Sequence, residues 1–224
     1  MSFYVCGDTH QDIDLAKLNS KHFPAKDLTK KDYVLICGDC GILWDGGNTD
    51  RYLRKWYEAK PWTTLFIDGN HENFDLLEAY PVTDWNGGKV HRISDSIIHL
   101  MRGQVYAVDG KKLFTMGGAL SHDREHRVPG RSVWDRELPS LREYDEAIAN
   151  FAANGNAVDY IFTHCASSRT QYFVAPHYRE DVLTHFFREI EQMDFKAWYF
   201  GHYHVDQDID ERHFALFDRV IRLW

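Results

Sequence analysis

Short apolar runs rich in β-branched and aromatic residues alternate with longer amphipathic stretches along this chain. The short runs read as buried strands and the longer ones as helices laid against them. Strands are predicted at Phe3–Cys6, Tyr33–Cys37, Thr64–Ile67, Val158–Thr163 and Ala197–Phe200. Helices are predicted near Asp12–Asn19, Thr49–Ala59, Asn73–Ala79, Ser140–Ala153 and Glu180–Gln192, with Thr49 and Ser140 as N-caps. Between the third and fourth strand–helix units the texture changes. Val90–Ile93, Ile97–Met101, Gln104–Val108 and Leu113–Met116 are closely spaced strands, and Asp109-Gly110 is a hairpin turn signal. A last pair, Phe214–Phe217 and Arg219–Leu223, closes the chain. The order predicts a single α/β domain over 1–224, two sheets face to face with helices outside.

In open α/β sheets ligands bind beyond the carboxyl ends of the strands, and polar chemistry gathers there. The first strand runs into Gly7-Asp8-Thr9-His10, the second into Gly38-Asp39-Cys40-Gly41, the third into Asp68-Gly69-Asn70-His71-Glu72. The fourth delivers His164 and the fifth Gly201-His202-Tyr203-His204. Glycine at these junctions permits the tight turn that aims a side chain back over the strand end. Carboxylate and amide oxygens mixed with imidazoles suit Mn²⁺, Fe or Zn²⁺ better than Ca²⁺. So many donors exceed the needs of one ion, but they suit a pair about 3.5–4 Å apart with a carboxylate between them.

Composition changes this picture little. The formal charge is −8, from 26 basic and 34 acidic residues, which argues against a stable nucleic-acid complex through a broad basic face. No apolar run approaches the roughly 18 residues of a membrane span. The N-terminus lacks the layout of a signal peptide, so the chain reads as cytoplasmic. Nothing in the sequence sets the oligomeric state. Cys6, Cys37, Cys40 and Cys165 lie in or beside apolar runs, as reduced, buried cysteines do. Three of them stand within two residues of the candidate donors, which raises thiol oxidation near the metals as the sharper alternative.

The series Asp8-x-His10, Gly38-Asp39, Gly69-Asn70-His71-Glu72, His164 and Gly201-His202-x-His204 resembles the calcineurin-like metallophosphoesterase superfamily. The motifs run in the family's order from the first strand to near the C-terminus. The resemblance implies a four-layered α/β/β/α sandwich of two mixed sheets flanked by helices. It also implies a phosphoesterase with two divalent metal ions (Mn²⁺, Fe²⁺/Fe³⁺ or Zn²⁺), attacking phosphorus through a metal-bridging hydroxide. Asp8, His10 and His204 would hold the first ion, Asn70, His164 and His202 the second, and Asp39 would bridge them. His71 matches the family's catalytic histidine, and Asn70 and His71 would also touch the substrate. Glu72 is either a first-turn helix acid or a support for the ligands.

The polar segment Ser121–Ser140, within an arginine-rich insertion at 117–140, is long for an ordinary connection. It reads either as a solvated loop or as a lid. As a lid it would offer Arg124, Arg127 or Arg131 to a phosphate oxygen, with Trp134 or His126 stacking on a ring. Protein phosphatases of the family continue Gly-Asp-x-x-Asp-Arg-Gly, whereas Ile42 and Leu43 follow here. The substrate expected is therefore a small or nucleotide-like phosphodiester or phosphomonoester. The alternatives are a protein Ser/Thr phosphatase and a non-catalytic scaffold.

Overall fold

In the computed structural model, which describes residues 1–224, alternation along each strand decides the layers. In β1 (Phe3–Cys6), Phe3 and Val5 face an inner core and Cys6 an outer one. The same division runs through β2 (Tyr33–Ile36), where Leu35 points inward and Val34 and Ile36 outward, and β3 (Thr63–Phe66), where Leu65 points inward and Phe66 outward. The strands are apolar on both faces because both faces are covered.

Helix α1 (Asn48–Glu58) and the short α2 (Phe74–Leu77) cover the outside of the first sheet through Leu53, Tyr57 and Leu77. The sheet continues with β4 (Val82–Trp85), β5 (Gly88–Ser94) and β6 (Ile97–Leu100). The second sheet takes up β7 (Gln104–Val108) and β8 (Lys111–Met116), joined by Asp109 and Gly110, both with positive φ as a primed hairpin turn requires.

After the insertion come α3 (Leu141–Ala153), β9 (Tyr160–Thr163), α4 (Ser168–Val174), α5 (Val182–Ile190) and β10 (Ala197–Phe200). Three short strands finish the chain: β11 (Gln207–Asp208), β12 (His213–Ala215) and β13 (Val220–Arg222). Sheet order is β13-β1-β2-β3-β6-β5-β4 in one layer and β11-β12-β10-β9-β8-β7 in the other. Both sheets are mixed, with parallel centres. Helices α3 and α5 cover the second sheet through Ala147, Phe151, Leu183, Phe187 and Ile190. The four-layered sandwich is as expected.

Local expectations need four corrections. Asp12–Asn19 is a 3₁₀ turn over Leu15–Leu18, not an α-helix. The N-cap of α1 is Gly47, not Thr49, because the Asp50 carboxylate already gathers the preceding amides of Trp44, Asp45 and Gly46. Ser140 does cap α3, in a capping box with Glu143. The final two strands do not pair with each other: β12 joins β10, while β13 returns to β1 in the opposite sheet. Strands β4 and β11 and helix α4 were not anticipated, being too short or too polar for periodicity to register.

Candidate dinuclear metal centre

The carboxyl ends of β1, β2, β3, β9 and β10 deliver their loops to one place, where Asp8, His10, Asp39, Asn70, His71, His164, His202 and His204 meet. The backbone is bent to achieve this. His10, Asp39, His202 and His204 all have positive φ, a conformation non-glycine residues hold only when their surroundings impose it. Two glycines admit the carboxylates. A Cβ on Gly69 would lie 2.0 Å from Asp39 Oδ1, and one on Gly201 would lie 2.1 Å from Asp8 Oδ1.

Asp39 is the centre of the arrangement and is 1% exposed. Its Oδ1 accepts from the His71 backbone N–H at 2.7 Å. Its Oδ2 lies 3.3 Å from His10 Nε2 and 3.4 Å from His164 Nε2, between the two halves of the site. Asp8, fully buried, accepts from the His202 N–H at 3.0 Å and stands 3.4 Å from His204 Nε2 and 3.9 Å from His10 Nε2. Asp8, His10 and His204 form one set of converging donor atoms, and Asp8, Asp39 and His164 a second. His202 belongs to neither set, but its ring lies 4.9 Å from that of His164.

Hydrogen bonds behind these residues decide what their front atoms can do. His164 Nδ1 donates to the Cys37 carbonyl at 2.8 Å, which leaves Nε2 as the atom turned toward Asp39. Asn70 Nδ2 donates to Ser121 Oγ at 3.0 Å, which turns Oδ1 toward that same nitrogen, 3.0 Å away. His164 Nε2, Asn70 Oδ1 and Asp39 Oδ2 are then three acceptors facing one another. His10 repeats the pattern: Nδ1 donates to Asp14 Oδ2 at 2.7 Å and Nε2 faces Asp39 and Asp8. Neither Asp8 nor Asp39 pairs through its carboxylate with a Lys or Arg, since Lys17 donates instead to the Asp8 carbonyl.

Only positive charge reconciles such acceptors. Burial opposes protonation of both rings, yet the carboxylates outweigh it. Asp39, with Asp8, raises His10 to about 9 and His164 to about 10. The same pull that draws protons to these rings suits a pair of cations in their place, with oxygen and imidazole ligands and no Lys or Arg on either carboxylate.

His71 stands between this centre and the insertion. Arg127 Nη1 donates to His71 Nδ1 at 2.7 Å, Arg127 Nε donates to Asp123 Oδ1 at 2.6 Å, and Nη1 also reaches the Ser132 carbonyl. Nη2 also comes within 3.3 Å of Nε2, so the guanidinium faces both ring nitrogens of His71. Burial lowers the His71 pKa, and Arg127 lowers it further against the pull of Asp39, so the ring is neutral at pH 7.

The other insertion residues are placed differently. Arg124 donates to Glu137 Oε2 and the Trp134 carbonyl, beneath the insertion. Arg131 is exposed and its guanidinium has no partner. Trp134 is 6% exposed and donates to Asp75 Oδ2, so it anchors the segment to α2 and has no face left for a substrate ring. His126 is exposed beside Glu125. A deeper clamp joins the insertion to the third site loop. Arg102 forks onto Asp68 at 2.8 and 2.6 Å and donates to the Arg136 carbonyl, while His99 reaches the other Asp68 oxygen.

Glu72 precedes the N-cap Asn73 and lies outside α2. Its buried carboxylate accepts from the Cys40 N–H at 2.7 Å, tying the Asn70 loop to the Asp39 loop. All four cysteines are buried, and burial pushes their thiols up, Cys6 to about 12. Inert thiols of this kind do not support oxidative control. Sequence reasoning missed Asp14, although His10-x-x-x-Asp14 is visible spacing. It also missed Ser121 as the partner of Asn70, a contact across 51 residues that no local pattern announces.

A family model described as calcineurin-like phosphoesterase matches residues 1–206 of the 224. No curated protein matches the chain. No helix is long and apolar enough to cross a membrane.

Proposed function

We infer the division of labour at this site from one premise: the chain belongs to the calcineurin-like phosphoesterase family and is a metal-dependent phosphoric ester hydrolase. Asp8, His10 and His204 would hold one cation, Asn70, His164 and His202 the other, and Asp39 would be shared between them. The observation that carries this reading is the double set of unreconciled acceptors around Asp39. When bound, the two ions supply Lewis acidity toward water and toward the phosphoryl oxygens. His71, at the edge of the centre, gives a proton to the leaving oxygen. Arg127 holds the His71 ring in place and offers its guanidinium to the phosphate from the 117–140 insertion, which acts as the rim of the cleft.

The substrate is a small or nucleotide-like phosphate ester, and the metals are Mn²⁺, Fe or Zn²⁺. Ile42 and Leu43 occupy the places of the Asp-Arg pair typical of the family's protein phosphatases, and both are buried in the core. No guanidinium comes from that loop, which favours a small ester over a phosphoprotein. The chelated protein is expected to be inert toward p-nitrophenyl phosphate and bis-p-nitrophenyl phosphate, and Mn²⁺, Fe²⁺ or Zn²⁺ to restore turnover of one of them. A protein that binds the ions but hydrolyses neither ester is a scaffold, and this reading is then wrong.

Arg127→Ala is expected to raise KM about tenfold or more, the effect of one charge-assisted hydrogen bond, at unchanged metal content. Arg124→Ala should lower the unfolding temperature and leave KM alone, since its guanidinium is on Glu137. An unchanged KM in the Arg127 variant would remove the insertion from substrate binding.

A further inference from the structure

Beside the metal centre lies a cavity of about 290 Å³ lined by His10, Gln11, Ile13, Gly41, Trp44 and His71. It shares His10 and His71 with the site and takes its apolar lining from Trp44 and Ile13. We propose that it is a subsite for a planar aromatic group carried on the leaving oxygen of the ester. This rests on the functional reading above and names the class of substrate it accepts.

The cavity is built with unusual firmness for a surface feature. Asp50, fully buried at the start of α1, accepts through one oxygen from the backbone N–H groups of Trp44, Asp45 and Gly46 at 2.8, 3.1 and 2.7 Å. Asn73 Nδ2 donates to the Trp44 carbonyl at 2.6 Å, and the Asn73 N–H to the Leu43 carbonyl. The loop is thus fixed on both sides of the indole, so the ring has little orientational freedom left to lose on stacking.

The opposite wall is as closely set. Gln11 has positive φ, and a Cβ on Gly41 would lie 2.6 Å from its backbone nitrogen, so the two loops touch only because Gly41 lacks one. Ile13 leaves 76% of its surface exposed at the rim, and Trp44 is only half-buried. Neither apolar side chain is needed to fill the core behind it.

His71 belongs to both this cavity and the polar cleft on its far side, which is lined by Asp39, Asn70, His122, Asp123, Tyr178, His202 and His204. A phosphoryl group at the centre with its leaving oxygen toward His71 therefore has this cavity, with Trp44 in its lining, beside that oxygen's substituent. Stacking on an indole suits a planar ring and gives nothing comparable to a methyl group.

The test compares phenylphosphonate and methylphosphonate binding to the metal-loaded protein by calorimetry. Neither can be hydrolysed at phosphorus–carbon, and they differ only in the ring. The wild type is expected to bind phenylphosphonate about tenfold more tightly, from stacking and apolar burial. Trp44→Ala should abolish that preference and leave methylphosphonate affinity within about twofold, while Trp44→Phe, which keeps a ring, retains most of it. A wild type without preference, or a preference that survives Trp44→Ala, overturns the subsite and leaves the phosphoesterase reading standing. Failure to bind either phosphonate likewise overturns the subsite, while the phosphoesterase reading is decided by turnover of the two p-nitrophenyl esters.

Discussion

Asp39→Asn is expected to lose about 10³-fold or more in kcat/KM, since Lewis-acid stabilisation of several kcal/mol converts to a factor of ten per ~1.4 kcal/mol. The substitution is nearly isosteric. The asparagine can keep its carbonyl oxygen on the His71 N–H, where Oδ1 now accepts at 2.7 Å. Its amide nitrogen then faces His10 Nε2 and His164 Nε2, in the place of the Oδ2 that lies 3.3 and 3.4 Å from them. A neutral donor replaces a negative acceptor at the one atom shared by both halves. Thermal unfolding separates this from simple damage. The wild type at a free metal concentration of 100 Kd gains about 2.7 kcal/mol from ligand linkage. Asp39→Asn should lose that metal-dependent increment while melting near the wild type in chelator. If the variant still binds two equivalents of Mn²⁺ and keeps its increment, Asp39 does not serve the ions.

The layers and the loops that converge on the candidate centre were legible because each is written locally. Alternation within β1, β2 and β3 follows from covering both faces, and the donors follow strand ends directly, as Asp8 follows β1 and Asp39 follows β2. What escaped depends on distant partners. Trp134 looks like a stacking residue until Asp75, far earlier in the chain, takes its indole N–H. Arg124 and Arg127 are equivalent as letters. Buried Glu137 claims the first, while Asp123 and Ser132 steer the second onto His71. Trp44 lies in a segment where the sequence showed only a departure from the protein-phosphatase pattern. Its placement depends on Asp50, an acid that reads from sequence as an ordinary first-turn residue. The same rule runs through all of these: a side chain's role is set by which buried charge or carbonyl satisfies it, and that is tertiary information.

His71→Gln should lower kcat by about 10²–10⁴-fold, the usual range for a lost general acid, with metal content unchanged. The side chain makes no contact that holds the fold, because the link to Asp39 runs through the backbone N–H, which glutamine retains. What is lost is the imidazole that Arg127 holds at both ring nitrogens, and with it the proton for the departing oxygen. A general acid matters most when the departing oxygen is strongly basic. The loss should therefore be large for an alkyl ester and small for the p-nitrophenyl ester, whose leaving group departs without a proton. An imidazole that merely steadied the phosphate would cost both esters the same factor. The two roles are thus separated by the ratio of the two losses rather than by either loss alone. A ratio near one would return His71 to positioning and make it, with Arg127 at 2.7 Å, part of a phosphate clamp rather than a general acid.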